Sequence, residues 1–273
     1  MILLSNEIAS SATIPILLKE QEIHDGWPAQ YANMSRFPLT HFTQPTKFGH
    51  SIEFNLRGNA LATYETSRKT RAALIHAAGQ LAAEKGFASV SIRAIARRAG
   101  VNAGSIHYHF GGKDKLFEAV VQEVMQAWKD HPVIDLLQQH DTATPLGQAQ
   151  VIRAIVHRNI FLLFSRELPD WHCRVVFQVM RNEGPLREIF RRELLIPTHA
   201  ALRELFRRID PAMDDSEAFL RDLIMNTPIF FHADRMDLIL ADLHEKRYEN
   251  QYLRKMEDLI VLQTQLALGL PPC

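Results

Sequence analysis

"SVSIRAIARRAGVNAGSIHYHFGGKDKLFEAVV", Ser89 to Val121, is the stretch whose reading decides the fold. Ser91 is a good helix N-cap, because its hydroxyl can accept from a backbone N–H of the first turn. Ile92, Ile95, Ala96 and Ala99 then recur at i, i+3, i+4 and i+7, which is one face of a helix. Gly100 stops that helix and permits the positive φ of a tight turn. A very short helix follows, from about Ala103 to His109, with Ile106 and Phe110 one turn apart on its inner side. Lys113 opens another helix, reading to about residue 130, with Leu116, Val120 and Val124 on its apolar face.

Upstream, the spacing predicts a helix from near Ser67 to Lys85, stopped by Gly86, with Leu74, Ala78 and Leu81 on one face and Phe87 folding back on it. Residues 1–66 show no sustained period of 3.6 or 2 and read as a disordered or poorly structured extension. "LATYETSRKTR" reads as an alternative natural beginning of the chain. Downstream, helices are expected over about 146–167, from Pro169, from Pro185, and over 215–231, 234–244 and 249–268. Pro197 is expected to kink or split the helix spanning 186–208. Tyr252, Met256, Leu259, Gln263 and Leu266 fall on one face of the last helix. Nothing reads as a sheet, so the fold class is all-α. The expected architecture is an N-terminal three-helix bundle with a helix-turn-helix, over 67–115, followed by a larger helical domain, over 116–273.

Composition narrows the function classes. Of 273 residues, 47% are apolar, enough for a sizeable core, and the formal net charge is zero. No apolar run reaches the about 18 residues of a membrane span. The start has no basic n-region, so the expected location is the cytoplasm, with no membrane partner. Cys173 and Cys273 lie far apart and suggest a reduced, intracellular setting. There is no nucleophile motif, phosphate loop or HExxH, so an enzyme is not expected, nor a cofactor. His107 and His109, at i and i+2, do not share a helix face, so no metal site is expected there.

The neutral average hides an asymmetry. From Ser67 to Lys115 there are nine basic residues, Arg68, Lys69, Arg71, Lys85, Arg93, Arg97, Arg98, Lys113 and Lys115, against Glu84 and Asp114. Such a local excess is the footprint of a polyanion partner. Two short helices around a glycine turn add the geometry of a helix-turn-helix, whose second helix enters the DNA major groove.

The segment resembles the DNA-binding domain of the TetR family of transcriptional regulators over about residues 68–121. The resemblance rests on Ile95, Ala96, Ala99, Gly100 and Val101, then Gly104, Ile106, Tyr108, His109, Phe110 and Lys113. His107 departs from it, since an aromatic Tyr is common there. The resemblance implies a DNA-contact set of Ser91, Asn102, Ala103, Gly104, Ser105, His107, Tyr108, His109 and Lys113. Asn102, Ala103, Ser105 and His107 are the candidate base readers. Tyr108 and His109 would lie near the backbone, and Lys113 would reach a phosphate.

The C-terminal half, over about 145–270, is similar to the CecR-like branch of that family. The resemblance implies a homodimer built by segments 215–231 and 249–268, a near-palindromic double-stranded operator, and a pocket for a small-molecule effector. Phe161, Trp171, Arg174, Phe177, Met225, Phe230 and His232 are the candidate ligand contacts; Phe164, Met180, Asn226 and Phe231 belong to the same wider set. The function expected is a ligand-responsive regulator, read as a repressor. The alternative is a helical adaptor that keeps the fold without DNA binding.

Overall fold

Apolar residues recur at helical spacing along most of the chain, and every regular element among the described residues is accordingly a helix. The computed structural model describes residues 53–273, with side chains from residue 64 onward. Residues 1–52 of the expected extension lie outside the described residues. The first helix, α1, spans Glu53–Lys85. Residues 53–66 are therefore helical, which corrects the expectation of irregular chain up to residue 66. Gly58 and Asn59 read as breakers, yet a single glycine costs a helix only about 1 kcal/mol. Leu56, Ala60, Leu61 and Ala62 around them are helix formers.

A short 3-10 turn, Phe87–Ser89, leads into α2 (Ile92–Ala99), α3 (Gly104–Phe110) and α4 (Lys113–Lys129). Leu74, Ala78, Leu81, Ile95, Ile106 and Leu116 from these helices are all buried and form the core of the head. Phe87 packs edge-on against Phe117 of α4, with ring centroids 5.0 Å apart, so it closes the head from the α4 side.

The body follows. Its elements are α5 (Val133–Gln139), α6 (Pro145–Phe164), α7 (Trp171–Arg181), α8 (Pro185–Phe190), a π-helical turn (Arg191–Leu195) and α9 (Ile196–Ile209). Then come α10 (Asp215–Asp234), α11 (Met236–Asp242) and α12 (Asn250–Ala267). Helix α5 had no counterpart in the sequence reading, because seven residues are too few to show a period. Helix α6 is buried nearly all round, from Gly147 to Leu163, and forms the central post of the body. Pro197 sits in the first turn of α9, and the chain before it loosens into the π turn, as a missing backbone donor requires.

Two contacts join head and body. Trp171 of α7 lies on α1, where a Cβ at Gly79 would come within 2.5 Å of its ring. Its Nε1 donates to Nδ1 of His76 at 3.1 Å. The second link is α4 itself, which begins in the head and ends in the body with Trp128 buried.

Candidate nucleic-acid interface and effector cavity

The head interface is built from backbone turns. Ser91 caps α2, its Oγ accepting from the Ala94 N–H at 3.2 Å. Gly100 takes φ 68°, the left-handed value that ends α2, and its N–H bonds back to the Arg97 carbonyl at 3.3 Å. Asn102 Oδ1 accepts from the Gly104 N–H at 2.8 Å, which starts α3 and leaves the side-chain NH2 of Asn102 to donate elsewhere. Ile106 is fully buried and pins α3 to the core.

With Ile106 inward, the other side chains of α3 face out. Tyr108 is 81% exposed, an unusual position for a large ring. Its ring meets His109 edge-on at 4.9 Å. Asn102, Gly104 and His107 are also exposed, while Ala103, Ser105 and His109 are half-buried. Phe110 is only half-buried, with the Arg71 guanidinium 5.1 Å above its ring. Phe110 thus keeps to the inner side without full burial; a cation covers the edge that the short helix cannot. Gly111, at φ 77°, lets the chain reverse so that α4 starts beside α3. Lys113 Nζ rests 5.4 Å from the Phe117 ring centroid, which holds the ammonium at the start of α4.

The charge pattern survives folding. Arg98 pairs with Glu84, with Nη2 to Oε2 at 3.1 Å, and this holds the Glu84 carboxyl below its ordinary range. Lys115 pairs with Glu118 at 2.7 Å. Arg93 and Arg97 are exposed on α2 and make no ion pair among the described residues. The surface of the head thus carries cations without nearby counter-charges.

In the body, a cavity of about 50 Å³ opens between α4, α6, α7, α9 and α10. Trp128, Val176, Phe190, Leu194, Leu195, Leu202 and Phe230 form its apolar walls, and Asn159, Thr198, His199, Asp222 and Asn226 its polar side. Of the expected ligand contacts, the structure brings Phe230 and Asn226 to it. Phe177 stands behind Phe230, edge-on at 6.2 Å. Met225 lines a second space, against α9 and α12. The structure does not bring Phe161, Trp171, Arg174 or His232 to the cavity. Phe161 packs edge-on against His131, and Trp171 lies on α1. Arg174 is exposed, and His232 bonds the Tyr252 hydroxyl at 3.0 Å.

The sequence reading missed the polar side. Arg158 is buried, with Nη1 donating to Asn159 Oδ1 at 2.7 Å and Nη2 to the Trp128 carbonyl at 3.2 Å. Its Nε donates to the His131 carbonyl. Asn159 Nδ2 donates to Asn226 Oδ1 at 2.6 Å, and Asn226 Nδ2 to Asp222 Oδ1 at 2.8 Å. His199 Nδ1 closes the chain on Asp222 Oδ2. The available signal was Arg158-Asn159 inside the apolar run "IRAIVHRNIFLLF", since a polar pair there must find partners.

The face of the last helix that carries Tyr252, Met256, Leu259, Gln263 and Leu266 is only partly buried. Leu253, Met256, Ile260 and Val261 turn inward, while Leu259 and Leu266 are 60% and 66% exposed. On α10, Leu220, Ile224 and Phe231 are likewise exposed. Among the described residues, no helix is long and apolar enough to cross a membrane.

Comparison with known proteins bears on the head above all. Residues 74–120 match the family model for bacterial regulatory proteins of the tetR family. The chain is 33% identical over 121 residues to the HTH-type transcriptional regulator TtgR of Pseudomonas putida, covering 44% of this chain and 53% of that protein. It is 49% identical over 53 residues to an HTH-type transcriptional repressor of Mycobacterium tuberculosis, covering 19% of this chain and 28% of that one. The matches thus span about a quarter to a half of the curated relatives. The fold is shared over a longer stretch. A transcriptional regulator from Rhodococcus sp. Rha1 superposes with a TM-score of 0.51 at 20% identity, over 74% of this chain and 99% of that one.

Proposed function

We propose that this chain, whose residues 74–120 match the model of the tetR family of bacterial regulatory proteins, is a ligand-responsive transcriptional repressor of that family, acting as a homodimer on a near-palindromic operator. The observation that carries the reading is α3, with Ile106 buried, Tyr108 81% exposed, and unpaired cations on the neighbouring α2. We assign base-edge contacts to Asn102, Ala103, Ser105 and His107, with Gly104 allowing close approach. Tyr108, His109 and Lys113 make phosphate contacts, joined by Ser91 at the exposed start of α2. Residues 67–115 are the reader and residues 116–273 the regulatory and dimerising body. The protein works in the cytoplasm and is not an enzyme.

The dimer forms through α10 and α12, where Ile224, Phe231, Leu259 and Leu266 expose apolar surface along two adjacent helices. Two readers then meet successive major grooves about 34–36 Å apart. An effector releases DNA by binding better to a dimer whose readers are misplaced.

Fluorescence anisotropy of the purified protein against labelled DNA from its own gene neighbourhood, at low and moderate salt, tests the reading. Specific binding that weakens with salt and is lost in Tyr108→Ala supports it. Binding that ignores both salt and the substitution overturns it.

A further inference from the structure

The cavity in the body has a chemistry specific enough to name the class of molecule it takes. This inference rests on the ligand-responsive reading above and concerns only what the cavity selects. Most of the lining is aromatic or aliphatic. The polar side is ordered in one direction: Arg158 donates to Asn159, Asn159 to Asn226, and Asn226 to Asp222. Bonds aligned in this way reinforce one another and end on Asp222, whose side chain is fully buried. Both Asp222 oxygens are occupied, one by Asn226 and one by His199. A ligand therefore meets His199, not the carboxylate.

His199 Nδ1 is committed to Asp222, and Nε2 has no hydrogen-bond partner among the described residues. The hydroxyl of Thr198, the preceding residue and also a lining residue, has none either. These are the two hydrogen-bonding groups left to a guest. A hydroxyl matches both, because it can donate to a neutral ring nitrogen or accept from a protonated one. A carboxylate has no proton to donate to a neutral ring nitrogen and would bring a second carboxyl group up against Asp222.

Size adds a second constraint. About 50 Å³ of space is short of the roughly 150 Å³ that holds a benzene ring. A wall must yield, and the π turn is the wall built to do so, since Leu194 and Leu195 sit on it where the α-helical ladder is already broken. On its outer side the turn is tethered by Glu193, which accepts from Lys129 at 2.9 Å and from Gln122 at 3.2 Å, both on α4.

We propose that this cavity binds a neutral aromatic compound carrying a single hydroxyl, which bonds His199 and Thr198 while its ring displaces the π turn. The test titrates the full chain, without DNA, with 4-ethylphenol, ethylbenzene and 4-ethylbenzoate, followed by calorimetry and ligand-observed NMR. Because DNA is absent, the result does not depend on whether the head reads an operator. The expected result is that 4-ethylphenol binds about tenfold more tightly than either analogue, as one well-formed hydrogen bond in a closed site allows. His199→Phe removes that preference, and Thr198→Val reduces it in a chain whose core is untouched. Glu193→Gln, which loosens the tether, tightens 4-ethylphenol. Equal binding of ethylbenzene, a preference for 4-ethylbenzoate, or binding of none of the three overturns the proposal. So does a preference that persists in both variants.

Discussion

In the head, Arg93 and Arg97 stand exposed on α2 with no ion pair among the described residues. In the body, Arg158 is buried beneath the Trp128 ring, with the guanidinium carbon 5.2 Å from its centroid, and its Nε, Nη1 and Nη2 each end on a protein oxygen. Burial pulls the Arg158 pKa down to about 10. The same residue type does opposite work in the two regions. Exposed and unanswered, it is a long-range attractor whose counter-charge must come from a partner. Enclosed and answered, it is a structural clasp, and its removal orphans everything it holds.

The clasp is where the largest effect is expected. Arg158→Ala strands the His131 carbonyl and Asn159 Oδ1 and leaves the Trp128 carbonyl only the His131 N–H, and should cost about 3 kcal/mol or more of stability. Urea denaturation measures this, and a loss below about 1 kcal/mol would break the contrast between the two regions.

A second buried base in the body predicts a pH effect. His172 Nε2 is buried with no hydrogen-bond partner among the described residues, and burial, then nearby His76, lowers its pKa to about 4. The folded state thus keeps His172 neutral where the unfolded chain would take up a proton. Stability is fully present above about pH 6.5 and falls between there and about pH 4, by up to roughly 2–3 kcal/mol. His131, whose pKa burial also lowers, adds in the same direction. His172→Phe should flatten much of the slope; a parent whose denaturation midpoint is the same at both ends of that range would contradict the burial argument.

In the head the prediction inverts. Tyr108→Ala and Lys113→Ala should leave the melting temperature in place and weaken DNA binding by about tenfold each, or about 1.4 kcal/mol. Lys113→Ala should also reduce the salt slope by about one. A loss of stability instead of affinity would show that these residues belong to the core.

The smallest effect sharpens the comparison. Glu84→Gln frees Arg98 from its only ion pair among the described residues. Melting should not change, because both groups are exposed, and non-specific DNA affinity should rise by roughly threefold at low salt. No change at any salt would place Arg98 outside the attracting face.

The head was the legible part. Its helices are set by local rules: Ser91 caps α2, Gly100 ends it with a left-handed φ, and Ile95 and Ile106 point inward by spacing alone. The ends of the described helices from α6 onward followed the prolines and apolar runs to within a few residues. Helix α5 and the helical course of residues 53–66 were not legible, because one is too short to show a period and the other mixes breakers with formers. The cavity was least legible. Asn159, Asp222 and His199 come from three helices, α6, α10 and α9, and no local period or spacing brings them together. Of the rings that sequence favoured, Phe230 reached the cavity, while Trp171 went to the joint with α1 and His232 to a pair of tyrosines.

By itself the sequence determined the all-helical class, the helix-turn-helix and the excess of cations on the head, because capping, periodicity and net local charge act over a few residues. Tertiary structure alone decided which cations stay unanswered, which apolar stripes remain exposed on α10 and α12, and which polar side chains meet across α6, α9 and α10. Those outcomes depend on packing between helices distant in sequence, where a rotation of one helix about its axis decides whether a polar group finds a partner or water.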